Sequence, residues 1–238
     1  MTPRLSRRRF GATNYVYLLE AGGDAALVDP GDAAVALALA ADLGAAPRWV
    51  LHTHGHADHS GGTVAVAARL GARVLGHGGD ARWFAPQEDL AGRAALSLGA
   101  LALRVHHVPG HTPGSVLLEW AGHLLTGDTL FTGGCGNCRH GGDVGALAES
   151  LLGPLARLDG GLLVQPGHDY AEANLAFVLA LEPDNAPARA RLAAVQAARA
   201  AGLEPDPATL AEERVVNPFL RAPDPQAVVA LRARRDAW

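Results

Sequence analysis

The chain reads as an α/β protein with a helical C-terminal region, and three observations in its 238 residues lead there. Short apolar runs alternate with helical patterns through most of its length. Four strand ends carry residues of metal-ligand type: Thr53-His54-Gly55-His56-Ala57-Asp58-His59, then His111, then Asp128, then His168. After about Ala171 the strand patterns stop, and helical patterns punctuated by proline take over. In α/β architectures the sheet is a rigid base, and functional side chains gather where its strands end.

The elements follow in order. Asn14–Leu19 reads as a first strand and pairs with Ala25–Asp29 across Gly22-Gly23. Ser6-Arg7-Arg8-Arg9-Phe10 has the form of a twin-arginine export signal, but the apolar stretch after it is short and soon meets Glu20 and Asp24. Asp32 caps a helix over about Ala33–Leu43. Arg48–His52 is a strand feeding the histidine stretch, Thr63–Leu70 a helix and Arg73–Leu75 a short strand. Leu101–His107 alternates as a half-buried strand does; Ser115–Trp120 and His123–Thr126 form a hairpin around Ala121-Gly122. A glycine-rich loop spans Gly133 to Gly142, a helix is expected over Val144–Leu158, and a strand over Leu162–Gln165. Helical patterns then cover Glu172–Leu181, Ala188–Ala201, Pro207–Glu213 and Pro225–Ala237, with Asp206-Pro207 and Asp224-Pro225 as cap-plus-proline starts.

Composition narrows the function classes. A hydrophobic content of 49% supports a large core, and no apolar run reaches the length of a membrane span. The net charge is −4, every basic residue is arginine, and no basic tract lies beyond the N-terminal region, which argues against nucleic acid as a partner. Two cysteines, Cys135 and Cys138, are too few for a disulfide framework. The expectation is a cytoplasmic protein, monomeric or weakly dimeric, with no nucleic-acid or membrane partner.

Imidazole and carboxylate are accepted readily by first-row divalent metals. Three histidines and an aspartate between His54 and His59, at a strand-to-helix junction, form a metal-type cluster rather than a polar loop. Asp58 and His59 fall near the first helical turn, where the dipole favours the carboxylate. Of the other histidines, His52 faces the core or braces a ligand; His106 and His107 end a strand without binding metal; His77, His123 and His140 are solvated loop residues. Asp29 either orients a ligand histidine or serves the turn.

These residues resemble the metallo-β-lactamase family, whose fold is a four-layer αβ/βα sandwich. The marks are Thr53–His59, Pro109-Gly110-His111-Thr112-Pro113-Gly114, Gly127-Asp128-Thr129 and His168. Within that superfamily the chain is similar to glyoxalase II, the hydroxyacylglutathione hydrolases. That likeness rests on Pro166-Gly167-His168-Asp169-Tyr170, Asn174, Phe177, Glu182-Pro183-Asp184-Asn185, Asn217-Pro218-Phe219-Leu220-Arg221 and the terminal Leu231–Trp238. It implies a catalytic domain over 1–171 and a helical substrate-recognition domain over 172–238.

The resemblance further implies two divalent metals, zinc foremost, with iron or manganese also acceptable. One would sit on His54, His56 and His111, the other on Asp58, His59 and His168, with Asp128 bridging. Asp58 and Asp128 are the catalytic carboxylates, Asp58 chiefly as a ligand. The implied reaction is attack of a bridging hydroxide on the thioester of an S-(2-hydroxyacyl)glutathione such as S-D-lactoylglutathione. A thiolate leaving group, from a thiol of pKa about 8.5, departs without strong acid help. Arg232 and Arg235, three apart on a helix, suit a carboxylate of the carrier, and Tyr170 matches a thiol-carrier contact. The family's usual basic residue after Gly134-Cys135-Gly136 is replaced by Asn137, and Arg139 restores the charge two positions later. Cys135 and Cys138 read as packing residues. A persulfide dioxygenase with one iron on His54, His111 and Asp128 is the rival reading; the long helical tail and Asn217–Arg221 weigh against it.

Overall fold

A computed structural model describes residues 2–238. Two mixed sheets face each other. The first contains β1 (Arg4–Phe10), β2 (Asn14–Ala21), β3 (Asp24–Val28), β4 (Trp49–Leu51), β5 (Arg73–Gly76) and β6 (Glu88–Asp89), in that spatial order. Its first three strands pair antiparallel and the rest parallel. The second contains β7 (Ala95–Leu98), β8 (Leu101–His107), β9 (Val116–Trp120), β10 (His123–Gly127) and β11 (Leu163–Pro166), ordered β11-β10-β9-β8-β7, with only β10 and β11 parallel.

The layering follows from side-chain alternation along strands. On β2, Tyr17 and Leu19 point inward to a core shared with Leu51 and Leu75, and with Leu103, Val105 and Leu118 of the facing sheet. Val16 and Leu18 point outward, onto Ala36 and Leu39 of α1 (Ala33–Asp42) and Val66 of α3 (Thr63–Leu70); the short α2 (Ala57–Ser60) precedes α3. On the second sheet, Leu117, Leu124 and Val164 face outward onto Leu147 and Leu151 of α4 (Val144–Leu152). The same outer cluster takes Phe177 from α5 (Ala171–Leu181), Leu210 from α7 (Leu210–Val216) and Val228 from α8 (Pro225–Ala237). A smaller cluster joins α5 to α6 (Ala186–Ala200) through Leu175, Val178, Ala188 and Val195. The result is helix, sheet, sheet, helix: the four-layer αβ/βα sandwich. No helix among the described residues is long and apolar enough to cross a membrane.

Several expectations need correction. Asn14 does not open the first strand: Arg4–Phe10 forms β1, paired along its length with β2. Its alternation is hidden because it is an edge strand rich in arginines whose partners lie elsewhere in the chain, Arg4 with Glu20, Arg8 with Asp42, Arg9 with Asp169 and Arg7 with the Pro205 carbonyl. The helix expected over Val144–Leu158 ends at Leu152, where Gly153-Pro154 breaks it before a 3-10 turn at Leu155–Arg157. The helix expected from Pro207 starts at Leu210 instead. Thr209 outcompetes Asp206 as its cap because Thr209 and Glu212 close a reciprocal capping box. Asp224 does cap α8 as expected, its carboxylate accepting from the Ala227 N–H.

Candidate metal centre

The donor stretch begins at Thr53, two residues beyond β4, and Thr53 is fixed by three hydrogen bonds. The Val116 N–H donates to the Thr53 carbonyl (2.8 Å), tying the start of β9 to the end of β4. The Thr53 N–H donates to Asp29 Oδ1 (2.9 Å), and its hydroxyl to Asp29 Oδ2. Asp29 follows β3 with φ at 52°, a backbone setting in which aspartate is one of the tolerated residues. His54 and His56 leave the extended segment, while Asp58 and His59 lie on α2. His111 stands between β8 and β9, Asp128 after β10, and His168 after β11, so strand ends from both sheets converge.

Their donor atoms form two sets. Those of His54, His56 and His111 lie within 4.8 Å of one another, as do those of Asp58, His59 and His168. His111 Nε2 is 2.9 Å from His56 Nδ1, and His59 Nε2 is 3.1 Å from His168 Nε2. Asp128 stands between the sets: Oδ1 is 3.3 Å from His59 Nε2, and Oδ2 is 3.5 Å from His111 Nε2 and 3.3 Å from His168 Nε2. A third grouping, Asp29 with His54 and His59, is geometrically compact too. Asp29 is already occupied by Thr53 and by His59 Nδ1 (3.1 Å), so it braces His59 rather than serving as a donor.

The arrangement fits a divalent cation. His54 Nε2 and Asp128 Oδ1 are buried polar atoms with no hydrogen-bond partner, which is costly unless something else satisfies them. On each ring the nitrogen facing away is held. His54 Nδ1 meets the Thr53 hydroxyl (3.2 Å), His56 Nε2 the His140 carbonyl (3.1 Å), His111 Nδ1 the Asn137 carbonyl (2.6 Å) and His168 Nδ1 the Thr13 hydroxyl (3.1 Å). Such outer contacts orient metal-binding imidazoles and set their tautomers.

Charge is split the same way. Burial pushes His54 well below the ordinary histidine range, with the neighbouring His59 adding to it, and burial lowers His111 too. Burial also pushes His59 and His168 down, but Asp128 outweighs it for both, aided by Asp29 and Asp58 respectively, and both rise. For Asp128 burial works upward and is overcome by His59 and His168, leaving its carboxyl well below the usual carboxylate range.

A family model described as metallo-beta-lactamase superfamily matches residues 10–188, and one described as hydroxyacylglutathione hydrolase C-terminus matches residues 169–238. A hydroxyacylglutathione hydrolase of Anaeromyxobacter dehalogenans is 74% identical over 225 residues, covering 94% of this chain and 88% of that one. The chain belongs to the hydroxyacylglutathione hydrolase family of the metallo-beta-lactamase superfamily. The family member of Acidiphilium cryptum is 41% identical over 230 residues, covering 95% of this chain and 93% of its own. Among solved structures, ETHE1 from Myxococcus xanthus is similar at a TM-score of 0.73 with 25% identity, over 98% of this chain and 90% of that one. TTHA1623, solved in a di-iron-bound form, has a TM-score of 0.66 with 27% identity, over 90% and 100% of the two chains. Superfamily membership and the donor cluster agree on divalent metal ions as the cofactor.

Beside the donor cluster lies a cavity of about 300 Å³ lined by Asp128, Asn137, Arg139, Tyr170, Arg232 and Arg235. All five substrate contacts expected from the sequence therefore share one space, but they stand differently within it. Arg232 is buried, its guanidinium donating to the Cys135 carbonyl (2.7 Å) and to Asp236 Oδ1 (2.8 Å). Arg235 is freer, with a bond of 3.3 Å to Asn174 Oδ1 and its guanidinium over the Trp238 ring. Arg139 reaches the Asp236 carbonyl (3.0 Å). The Tyr170 ring stacks on His168, centroids 4.8 Å apart. Asn137 contributes its backbone carbonyl to His111, while its side chain accepts from the Arg139 N–H.

The C-terminal helices also fasten the loop that carries Asn137. Glu213 accepts from the Gly133 N–H (2.9 Å), Asn217 donates to the Gly134 carbonyl (3.0 Å), Asn174 to that of Thr132 (3.2 Å), and Arg232 to that of Cys135. Cys135 and Cys138 are free thiols packed in the outer core, pushed up by burial to about 11 and about 12, which suits packing and not nucleophilic chemistry.

His52 is buried against the Thr63 hydroxyl (2.9 Å), and His106 and His107 bond to Glu119 and the Pro113 carbonyl, away from the donors. His140 is exposed as expected. His77 and His123 are not simply solvated: His77 stacks on His107 at 4.1 Å, and His123 meets Gln165 at 3.2 Å. Sequence reasoning missed Thr13 and Asn14, which reach His168 and Asp58 Oδ2 (3.0 Å), and Trp83, whose ring is edge-on to His56. No local signal marks them, because each acts across a long sequence separation.

Proposed function

We propose that the chain is a metal-dependent thioester hydrolase that cleaves S-(2-hydroxyacyl)glutathione, S-D-lactoylglutathione being the type substrate, to glutathione and a 2-hydroxy acid. The observation that carries this is the junction of two donor sets, shared through Asp128, with a cavity bearing three arginines. The names of the family's members support the same reading. His54, His56 and His111 would hold one divalent ion, Asp58, His59 and His168 a second, with Asp128 touching both; zinc is the first choice, and iron and manganese suit the same donors. Bound there, the ions supply an activated water and electrophilic assistance to a carbonyl at neutral pH.

The chain's own residues do the rest. Asp29, Thr13, Asn14 and the carbonyls of Asn137 and His140 keep the donors aimed. Arg235 and Arg139 offer cations to the carboxylates of the glutathionyl carrier, and Arg232 keeps the loop in place while adding charge to the same wall. Tyr170 borders the path between carrier and donors. The thiol released has a pKa of about 8.5, so its departure asks for no proton donor among these residues. On this reading residues 1–171 form the catalytic domain and 172–238 the part that recognises the carrier, in a cytoplasmic enzyme.

The test is metal content together with thiol release from S-D-lactoylglutathione, for the wild type and Arg235→Ala. Two metal equivalents, thiol release, and a KM raised about tenfold or more in the variant at unchanged metal content are expected, the cost of one charge-assisted contact being about 1.5–3 kcal/mol. A single iron, with oxygen consumed on glutathione persulfide, would reject the hydrolase.

A further inference from the structure

One buried carboxylate outside the donor sets links them to the rest of the fold. Asp80 lies beyond β5 and is 0% exposed. Its Oδ2 accepts from the Gly55 N–H (2.8 Å) and from the Thr112 hydroxyl (2.7 Å), and its Oδ1 from the Gly114 N–H (2.8 Å). Gly55 sits between His54 and His56, and Thr112 follows His111. The first loop leaves β4 of one sheet, and the second joins β8 to β9 of the other. Asp80 thus bridges the two backbone segments that deliver His54, His56 and His111.

The closure is tight. A Cβ at Gly55 would fall 2.9 Å from Asp80 Cβ, and one at Gly114 would fall 2.7 Å from Asp80 Cγ, so both segments approach the carboxylate as only glycine permits. A carboxylate accepts and does not donate, and once buried it must keep its donors or suffer the desolvation penalty of an unpaired polar group. Opening either loop would remove at least one of three donors from a group with no access to water. Thr112 is further held by Ser115, whose hydroxyl is 2.8 Å from its own.

We propose that Asp80 is a positioning residue for the His54–His56–His111 set: it fixes the separation of the two loops and so the approach of His111 to His56. Its hydrogen bonds go to Gly55, Thr112 and Gly114 rather than to a donor ring, and it is not among the residues lining the cavity beside Asp128. The inference rests on the reading that this set holds a divalent ion. It also predicts asymmetry, because Asp58, His59 and His168 are braced by other groups: Asn14, Asp29 and Thr13.

Asp80→Asn keeps the shape but presents one oxygen and one NH2 to three donors, so at least one N–H or O–H faces another donor. Thr112→Val removes a single donor with less risk to folding, and Thr112→Ser retains it. Zinc chloride is titrated against a chromophoric chelator for each protein, with circular dichroism as the check on fold. Asp80→Asn should weaken one of two zinc equivalents by about 10–100-fold and leave the other unchanged. Thr112→Val should weaken the same equivalent less, and Thr112→Ser should behave as wild type. In a His56→Ala background, Asp80→Asn should add no further loss. If Asp80→Asn does not fold, Thr112→Val decides. Unchanged binding in both variants, or equal weakening of both equivalents, overturns the assignment of Asp80 while the metal reading stands. A wild type that takes up no zinc, iron or manganese removes the metal reading and this inference together.

Discussion

Replacing Glu213 by glutamine should stabilise the protein, and only above a definable pH. Glu213 lies on α7, is 1% exposed, and accepts from the Gly133 N–H at 2.9 Å. Burial pushes its carboxyl from 4.5 up to about 7, against the opposing pull of the Gly133 N–H and Arg191. Between those values the folded chain keeps a proton that the unfolded chain has released. The contribution is therefore fully present below about 4.5, falls as pH rises, and is gone above about 7. At about 1.4 kcal/mol per pH unit, the gap amounts to about 3–4 kcal/mol at most. Glutamine keeps an acceptor oxygen for Gly133 and cannot ionise, so it avoids the cost of burying a charge. Urea unfolding of both proteins from pH 4.5 to 8.5 should show near-equal stability at the acid end. The variant should gain up to about 3–4 kcal/mol at the alkaline end, or about 6–16 °C in Tm for a chain of this size. Because both proteins share one donor set, any pH dependence of metal binding cancels in the difference. A difference that stays constant with pH, or a wild type more stable at pH 8, would refute the argument from burial.

Two further substitutions probe other parts of the design. Asp29→Asn leaves one oxygen for the Thr53 N–H, the Thr53 hydroxyl and His59 Nδ1, and should lower metal affinity by about 10–100-fold; chelator competition measures it, and an unchanged affinity would mean that Asp29 serves only the turn. Thr209→Ala breaks the capping box of α7 and should cost about 1 kcal/mol of unfolding free energy with KM unaltered; a variant whose KM rises instead would show that α7 reaches the substrate side more directly than its contacts indicate.

Much of the candidate centre was legible because residues of metal-ligand type at a strand end are a local pattern. His54, His56, Asp58 and His59 stand within one turn of chain, and the strands leading to His111, Asp128 and His168 could be read from apolar runs ending in Pro-Gly or Gly-Asp. The four-layer fold followed from resemblance, and alternation on β2 explains why its neighbours sit on both faces. Edge strand β1 was not legible, since its four arginines answer to partners distant in sequence, Glu20, Asp42, Asp169 and the Pro205 carbonyl, rather than to a core. The start of α7 differs from the expected one because two cap signals compete within a few residues, and reciprocal bonding between Thr209 and Glu212 decides for the second.

By itself the sequence determined which side chains could bind metal and that they lie at strand ends, since residue type and local spacing carry that information. Only the tertiary structure decided which atoms do the holding. Thr13 meets His168 across 155 positions, Asp80 joins loops from two sheets, and the Arg232 guanidinium turns to the Cys135 carbonyl, 97 positions away, as well as toward the cavity. Those pairings depend on how two sheets and an outer helix layer pack, and a hydrogen bond between distant segments leaves no periodic trace along the chain.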